Sequence, residues 1–294
     1  MEADYVIVGA GSAGCVLANR LSADPKRRVL LLEAGGRDWD PLIHIPIGIG
    51  RLWKQRAYDW GYNSEPQGHL NDRVIELPRG KVLGGSSSIN GMVYIRGQAQ
   101  DYDHWAQLGN RGWSWQDVLP VYKKMENYDG GSAELRGRGG PLRITDTPRH
   151  KVPLLEKMIE AAAKIGLPFN PDLNGPTQDG IGMSQVTIAR GRRQSTAYCY
   201  LDPARGRKNL TIEQGALGES LILEGKSCVG VRYAVGREKR EARAAREVIV
   251  SSGSINSPKL LELSRIGQSE LLRSLGITPV HELKGVGENL RDHY

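Results

Sequence analysis

Over residues 1–35 the spacing of apolar positions changes period twice. Tyr5 to Val8 is a short, β-rich apolar run, the pattern of a strand buried on both faces. From Cys15 to Leu21 the spacing becomes helical, and Arg28 to Gly35 returns to an unbroken apolar run that ends in Glu33. Gly9, Gly11 and Gly14 fill the junction between the first strand and the helix. The pattern therefore predicts strand, glycine turn, helix, strand.

The same reading extends along the chain. Asp101 to Tyr128 predicts two helical turns, a break over Gly109 to Gly112, and a second helix capped by Ser114, with Trp113, Trp115, Val118 and Tyr122 as core. Leu154, Leu155, Met158, Ile159, Ala162 and Ile165 share one face of a predicted helix that Gly166 and Pro168 end. Pro141 to Thr145, Met183 to Ala189, Asn209 to Glu213, Ser220 to Leu223, Cys228 to Val235 and Glu247 to Ser251 read as strands, and 192–201 as a turn back through a short helix. Arg37 to Leu70 has no clear period but carries Trp39, Trp53 and Trp60. A segment of this length is a lid, an interface or functional excursion, or a plain surface loop anchored by aromatics. Gly130 to Gly140 is the best linker candidate.

Composition narrows the class. With 294 residues, 39% hydrophobic and 25% charged, the chain has enough material for one large or two ordinary domains. The net charge of +7 raises a nucleic-acid reading. The basic residues are dispersed, however, and the densest run, Gly236 to Glu247, alternates sign as a solvated face does. Nucleic acid is set aside as a partner. Cys15, Cys199 and Cys228 match neither a metal spacing nor a disulfide framework. No apolar run approaches membrane-spanning length and no signal peptide precedes the first strand, so the expected location is cytoplasmic.

The candidate chemistry begins in the first turn. Gly9, Gly11 and Gly14 form G-x-G-x-x-G: a tight turn, a close backbone approach to pyrophosphate, and close packing of helix on strand. The helix N-terminus offers free N–H groups at Ser12 and Ala13 and a positive dipole. Glu33, followed by Ala34, stands about twenty residues on, where a ribose-binding acid belongs. NAD and FAD share the half that this unit would hold. A second stretch, Gly80 to Gly97, contains Gly84, Gly85 and Ser86 to Ser88. Such a backbone either brings N–H groups against a phosphate or flat ring, or forms a tight polar loop with a helix cap.

Gly80 to Tyr94, with Gly97 and Asp103 beyond, resembles the first signature of the glucose–methanol–choline (GMC) oxidoreductases, closest in tenor to choline-dehydrogenase-like alcohol dehydrogenases. Ser252 to Gly267 resembles the second signature, with Arg265 where the family has glycine and Ser257-Pro258 read as helix cap and first-turn proline. The resemblance implies an α/β fold: a three-layer, Rossmann-like FAD/NAD(P)-binding domain over 1–140 and 202–294, and the start of an α+β substrate domain over 141–201. It implies FAD contacts from Val82, Gly84, Gly85, Asn90, Gly91, Met92 and Val93, from Gly253, and from Asn289 and Asp292. Gly218 stands where the family has an adenine-contacting valine. Ile89 occupies the place of the histidine that links FAD covalently in some members, which implies non-covalent FAD.

The implied activity is oxidation of a primary or other small alcohol to the aldehyde by hydride transfer to flavin. The electron acceptor, oxygen or a quinone or dye, stays open, as does the oligomeric state. The resemblance covers only about the first half of a family member, and the family's catalytic histidine lies in the other half. None of His44, His69, His104, His150, His281 and His293 lies in a matching motif, so no catalytic residue is assigned. Two alternatives remain: an NAD(P)-linked Rossmann reductase, and a flavin-binding chain without turnover.

Overall fold

The computed structural model describes residues 1–147 and 153–291. The chain forms two compact units, one from Met1–Ile43, Gly48–Ile89 and Ser195–Tyr294, the other from His44–Ile47 and Asn90–Gln194. The division expected from sequence lay at 140/141 and 201/202; the compact units divide at 89/90 and 194/195.

The first unit is built on six strands: β1 (Glu2–Val8), β2 (Val29–Glu33), β3 (Leu210–Gln214), β4 (Ala216–Glu224), β5 (Ser227–Val235) and β6 (Glu238–Val250). Their order is β3-β2-β1-β6-β5-β4. The first four run parallel, and β4, β5 and β6 form an antiparallel meander. Only Gly215 separates β3 from β4, yet the two strands lie at opposite ends of this order. Gly215 N donates to Gly35 O at 3.0 Å, and Gly218 of β4 lies against Val8 of β1. The meander therefore folds back over the parallel strands.

Between these layers Val6, Val8, Leu30 and Leu32 pack with Ala216, Leu221, Val231, Tyr233 and Ala242, and with Leu260. Strand periodicity sends Ile7 and Leu31, also fully buried, to the opposite face. There helix α1 (Ser12–Leu21) packs on β1 and β2, burying Gly14, Cys15, Ala18 and Asn19. The expected three-layer α/β architecture is present. Helix α2 (Gly253–Leu263) follows β6 directly. It starts five residues before Pro258, so the proline is internal and not in the first turn as read from sequence. Ser252 is the N-cap residue, but its hydroxyl donates to Val8 O at 3.0 Å instead of capping the helix.

Most of the alternating charges of Gly236 to Glu247, those from Glu238 on, belong to β6, a strand that sequence analysis placed only from residue 247. Arg232–Glu241 at 2.9 Å and Arg243–Glu224 at 2.7 Å are ion pairs on the exposed surface of the meander, while Ala242 faces the core.

The second unit has helices over Ala99–Gln107, Trp115–Met125 and Pro153–Lys164, and a short sheet in the order Val93–Tyr94, Gln185–Val186, Thr145–Asp146. Ser114 caps its helix in a reciprocal capping box with Asp117, as the sequence predicts. Trp113, read as core, is exposed. So are Leu154, Met158 and Ile165, leaving Ile159 and Ala162 as the buried residues of the third helix. A buried ionic cluster centres the unit. Glu126 pairs with Arg96 at 2.6 Å and Arg136 at 2.9 Å, and Arg136 also reaches Asp172 at 2.6 Å. Burial pushes the Glu126 carboxyl up, but the Arg136 hydrogen bond, the Gly137 N–H and the two guanidinium charges hold it below its ordinary value. Among the described residues, no helix is long and apolar enough to cross a membrane.

Candidate functional site

At the carboxyl ends of β1 and β2 the first unit encloses a cavity of about 850 Å³. Three stretches far apart in sequence meet there: residues 9–13, 79–86 and 251–257. Each is placed by hydrogen bonds or close packing with another. Gly84 N donates to Ala10 O at 2.8 Å, and Ser251 Oγ donates to Gly9 O at 2.8 Å. A Cβ on Gly85 would stand 2.7 Å from Gly11 Cα, and one on Gly14 would overlap the Gly9 carbonyl. These glycines bring backbone against backbone, and the space in front of Gly11 is open.

Two helices point their N-termini into this space. Neither α1 nor α2 has a side-chain cap or an acidic residue in its first turn, and both first turns line the cavity. Uncapped N–H groups and a positive helix end favour an anion. Opposite stands Glu33, only 5% exposed. Its Oε2 accepts from Ala10 N and its Oε1 from Gly35 N, both at 2.8 Å. Burial pushes its carboxyl above the ordinary value, offset in part by those two N–H groups and by Lys81. Each oxygen retains a lone pair for a sugar hydroxyl. An acid fixed by two backbone donors beside two helix N-termini suits adenosine ribose next to a pyrophosphate.

Of the residues named from sequence, Gly9, Gly11, Ser12, Ala13, Glu33, Ala34, Gly85, Gly218 and Gly253 line the cavity. Gly14 and Gly84 shape it from behind. Val82 is wholly buried against Ile43 and Leu52 and does not line it. Asn90, Gly91, Met92 and Val93 belong to the second unit. There Asn90 Oδ1 accepts from Met92 N at 3.1 Å and from Arg193 Nη1 at 2.8 Å, and Val93 pairs with Val186. Asn289 is exposed with φ of +57° and does not line the cavity; Asp292 lies outside the described residues, as do His150 and His293.

Gly218 sits in β4 and not in a loop, and Val8 Cγ1, 2.8 Å from where its Cβ would be, leaves no room for a valine. The neighbouring Leu217 presents the apolar side chain that borders the cavity, a residue missed because the strand register was not visible in the sequence. Trp60, Arg79 and Lys259 were also missed. Trp60 lies in the aperiodic excursion, whose arms the structure bridges at three points over residues 59–80. Arg265 is exposed, away from the cavity, with φ of +71°, a conformation that glycine adopts most readily.

The chain is 48% identical over 293 residues to the oxygen-dependent choline dehydrogenase of Brucella anthropi, a match that covers 100% of this chain and 53% of that one. Among solved structures, pyridoxine 4-oxidase from Mesorbium loti is similar with a TM-score of 0.92 and 37% identity, over 96% of this chain and 55% of that one. Formate oxidase of Aspergillus oryzae is similar with a TM-score of 0.91 and 32% identity, over 99% of this chain and 52% of that one. The chain spans about half the length of the curated relatives it matches. The family model described as GMC oxidoreductase matches residues 3–294, and with three motifs converging on one cavity, the chain belongs to the GMC oxidoreductase family.

Proposed function

We infer that the cavity holds FAD non-covalently, and that the chain is the cofactor-binding part of an enzyme oxidising a small alcohol, choline-like or other, to its aldehyde. The observation that carries this reading is the meeting of two uncapped helix N-termini and the buried Glu33 carboxylate around open space at Gly11. When bound, FAD supplies the hydride acceptor. The chain's own residues bind and orient it: the N–H groups of Ser12 and Ala13 face the pyrophosphate, Glu33 accepts from the adenosine ribose, and Leu217 covers an apolar face of the base. Gly85 brings its backbone along the cofactor. Gly91, Met92 and Val93, with Asn90, Gly84, Val82, Asn289 and Asp292, are kept as proposed flavin contacts on the family resemblance. We also keep the discontinuous division into an FAD-binding portion (1–140 and 202–294) and a substrate-binding portion (141–201).

No histidine among the described residues lines the cavity, and the reading assigns no general base. The names of two relatives support the substrate class, choline dehydrogenase and pyridoxine 4-oxidase. Ile89 supports the non-covalent attachment. Among the described residues Cys15, Cys199 and Cys228 form no disulfide, which favours a reducing compartment such as the cytoplasm.

The test is purification of the 294-residue chain and titration with FAD. Yellow protein whose flavin is released intact by acid is expected. A chain that ignores FAD but binds NAD(P)H would overturn the reading. In a dye-linked assay with choline the FAD-loaded chain should give no turnover; turnover would mean that a general base lies within these residues.

A further inference from the structure

The excursion over residues 58–80 forms one side of the cavity through Trp60, Arg79 and Gly80, and the first turn of α2 forms another. The arms of the excursion are joined by backbone hydrogen bonds at alternate positions, Lys81 N to Tyr58 O, Trp60 N to Arg79 O, Leu77 N to Tyr62 O, Ser64 N to Ile75 O and Gln67 N to Arg73 O, so the segment is a hairpin. From it Tyr62 reaches across and donates a hydrogen bond of 2.6 Å from its hydroxyl to Asn256 Oδ1 on α2. The Tyr62 ring lies parallel to that of Trp60, centroids 6.0 Å apart, and Lys81 Nζ stands 4.7 Å from the Trp60 centroid. Tyr62 itself does not line the cavity.

The geometry points to Tyr62 and Asn256 as a latch that sets how fast a dinucleotide enters and leaves the cavity. The inference rests on the cavity being a dinucleotide site, as proposed above. The hydrogen bond joins two walls and needs no ligand to form. It therefore favours the closed arrangement equally in the empty and the loaded protein. Breaking it raises the open fraction of both states by one factor, so entry and exit accelerate together and the dissociation constant stays where it was. Loss of a direct contact to the cofactor would act differently, through exit alone.

The experiment is stopped-flow mixing of the full chain with FAD, following the change in flavin fluorescence for entry and its recovery after dilution for exit. In Tyr62→Phe, which keeps the ring, both rates should rise about fivefold, the factor one neutral hydrogen bond carries, with Kd unchanged within about a factor of two. Asn256→Ala should raise the exit rate at least as much, and adding Tyr62→Phe to it should give no further acceleration, because the bond is already gone. Three results would overturn the latch: unchanged rates in Tyr62→Phe, faster exit alone with weaker affinity, or independent effects of the two substitutions. A lower melting temperature with both rates unchanged would likewise make the bond merely structural. Failure of the unmodified chain to take up FAD would strike the cavity reading itself, and the latch with it.

Discussion

Gly85 and Gly11 meet backbone to backbone: a Cβ on Gly85 would stand 2.7 Å from Gly11 Cα, whereas one on Gly11 would meet nothing within 4 Å. The contact is asymmetric. One glycine is required by the protein and the other by whatever fills the open space.

Two substitutions separate these roles. Gly85→Ala, at φ of +53°, should destabilise the chain by about 2 kcal/mol or more, from left-handed strain and overlap together. Gly11→Ala should leave stability within about 1 kcal/mol, the cost of alanine at a helix cap, yet weaken FAD at least about tenfold, since its methyl enters the path of the pyrophosphate. Urea denaturation and flavin titration measure the two effects. Wild-type affinity in Gly11→Ala would place the pyrophosphate elsewhere.

Glu33 carries a pH signature. Its folded carboxyl is raised above the ordinary 4.5, chiefly by burial. The folded state therefore holds more protons than the unfolded state above pH 4.5, and this group's contribution to stability falls as pH rises through the raised value. Glu33→Gln should flatten that part of the stability–pH curve of the apo chain. An identical slope in wild type and variant would mean that Glu33 titrates normally.

In the second unit the sign reverses. Glu126 is held below 4.5, so its contribution is present above pH 4.5 and is lost as pH falls through the lowered value. Glu126→Gln leaves Arg96 and Arg136 without their shared carboxylate in a fully buried setting. The expected loss is about 3–5 kcal/mol, with a shallower acid limb than wild type. Limited proteolysis should find the new cleavage sites within residues 90–194; cleavage confined to the other unit would contradict the assignment.

Arg265 offers a gain. Its φ of +71° is costly for any side chain, and the partner of its Nε, Thr278 O at 2.6 Å, lies on an exposed loop. Arg265→Gly should stabilise the chain by up to about 1 kcal/mol, strain relief outweighing one exposed hydrogen bond and the added unfolded-state entropy. Thermal melts of the two proteins decide it.

The first βαβ unit was legible because each level of the sequence agreed: apolar runs, glycine spacing and the acid at Glu33 all named one local structure. Local capping was legible for the same reason at Ser114. What could not be read was the effect of distant partners. Residues 238–246 look solvated and are largely solvated, but pairing with β5 makes them a strand, and Ala242, with the partly buried Ala244 beside it, marks the face that packs on the core. Leu217 required the strand register, because Gly218 beside it faces Val8. Pro258 looks like a helix start until Ser251 and Ser252 are seen tying the preceding turn to β1. Trp60 lies in a segment with no period, where only tertiary contacts give a side chain its address.

The pairing of β1 with β6 sets Tyr5 beside Glu247 and Val8 beside Val250. During synthesis the opening strand thus waits for a neighbour made some 240 residues later. At ribosomal speed that delay is on the order of tens of seconds. Through that interval Val6, Ile7 and Val8, destined for full burial, have one edge unpaired, an invitation to wrong partners. The cavity, which Ser251 and Ser252 help to line, therefore cannot be completed before that late strand has emerged.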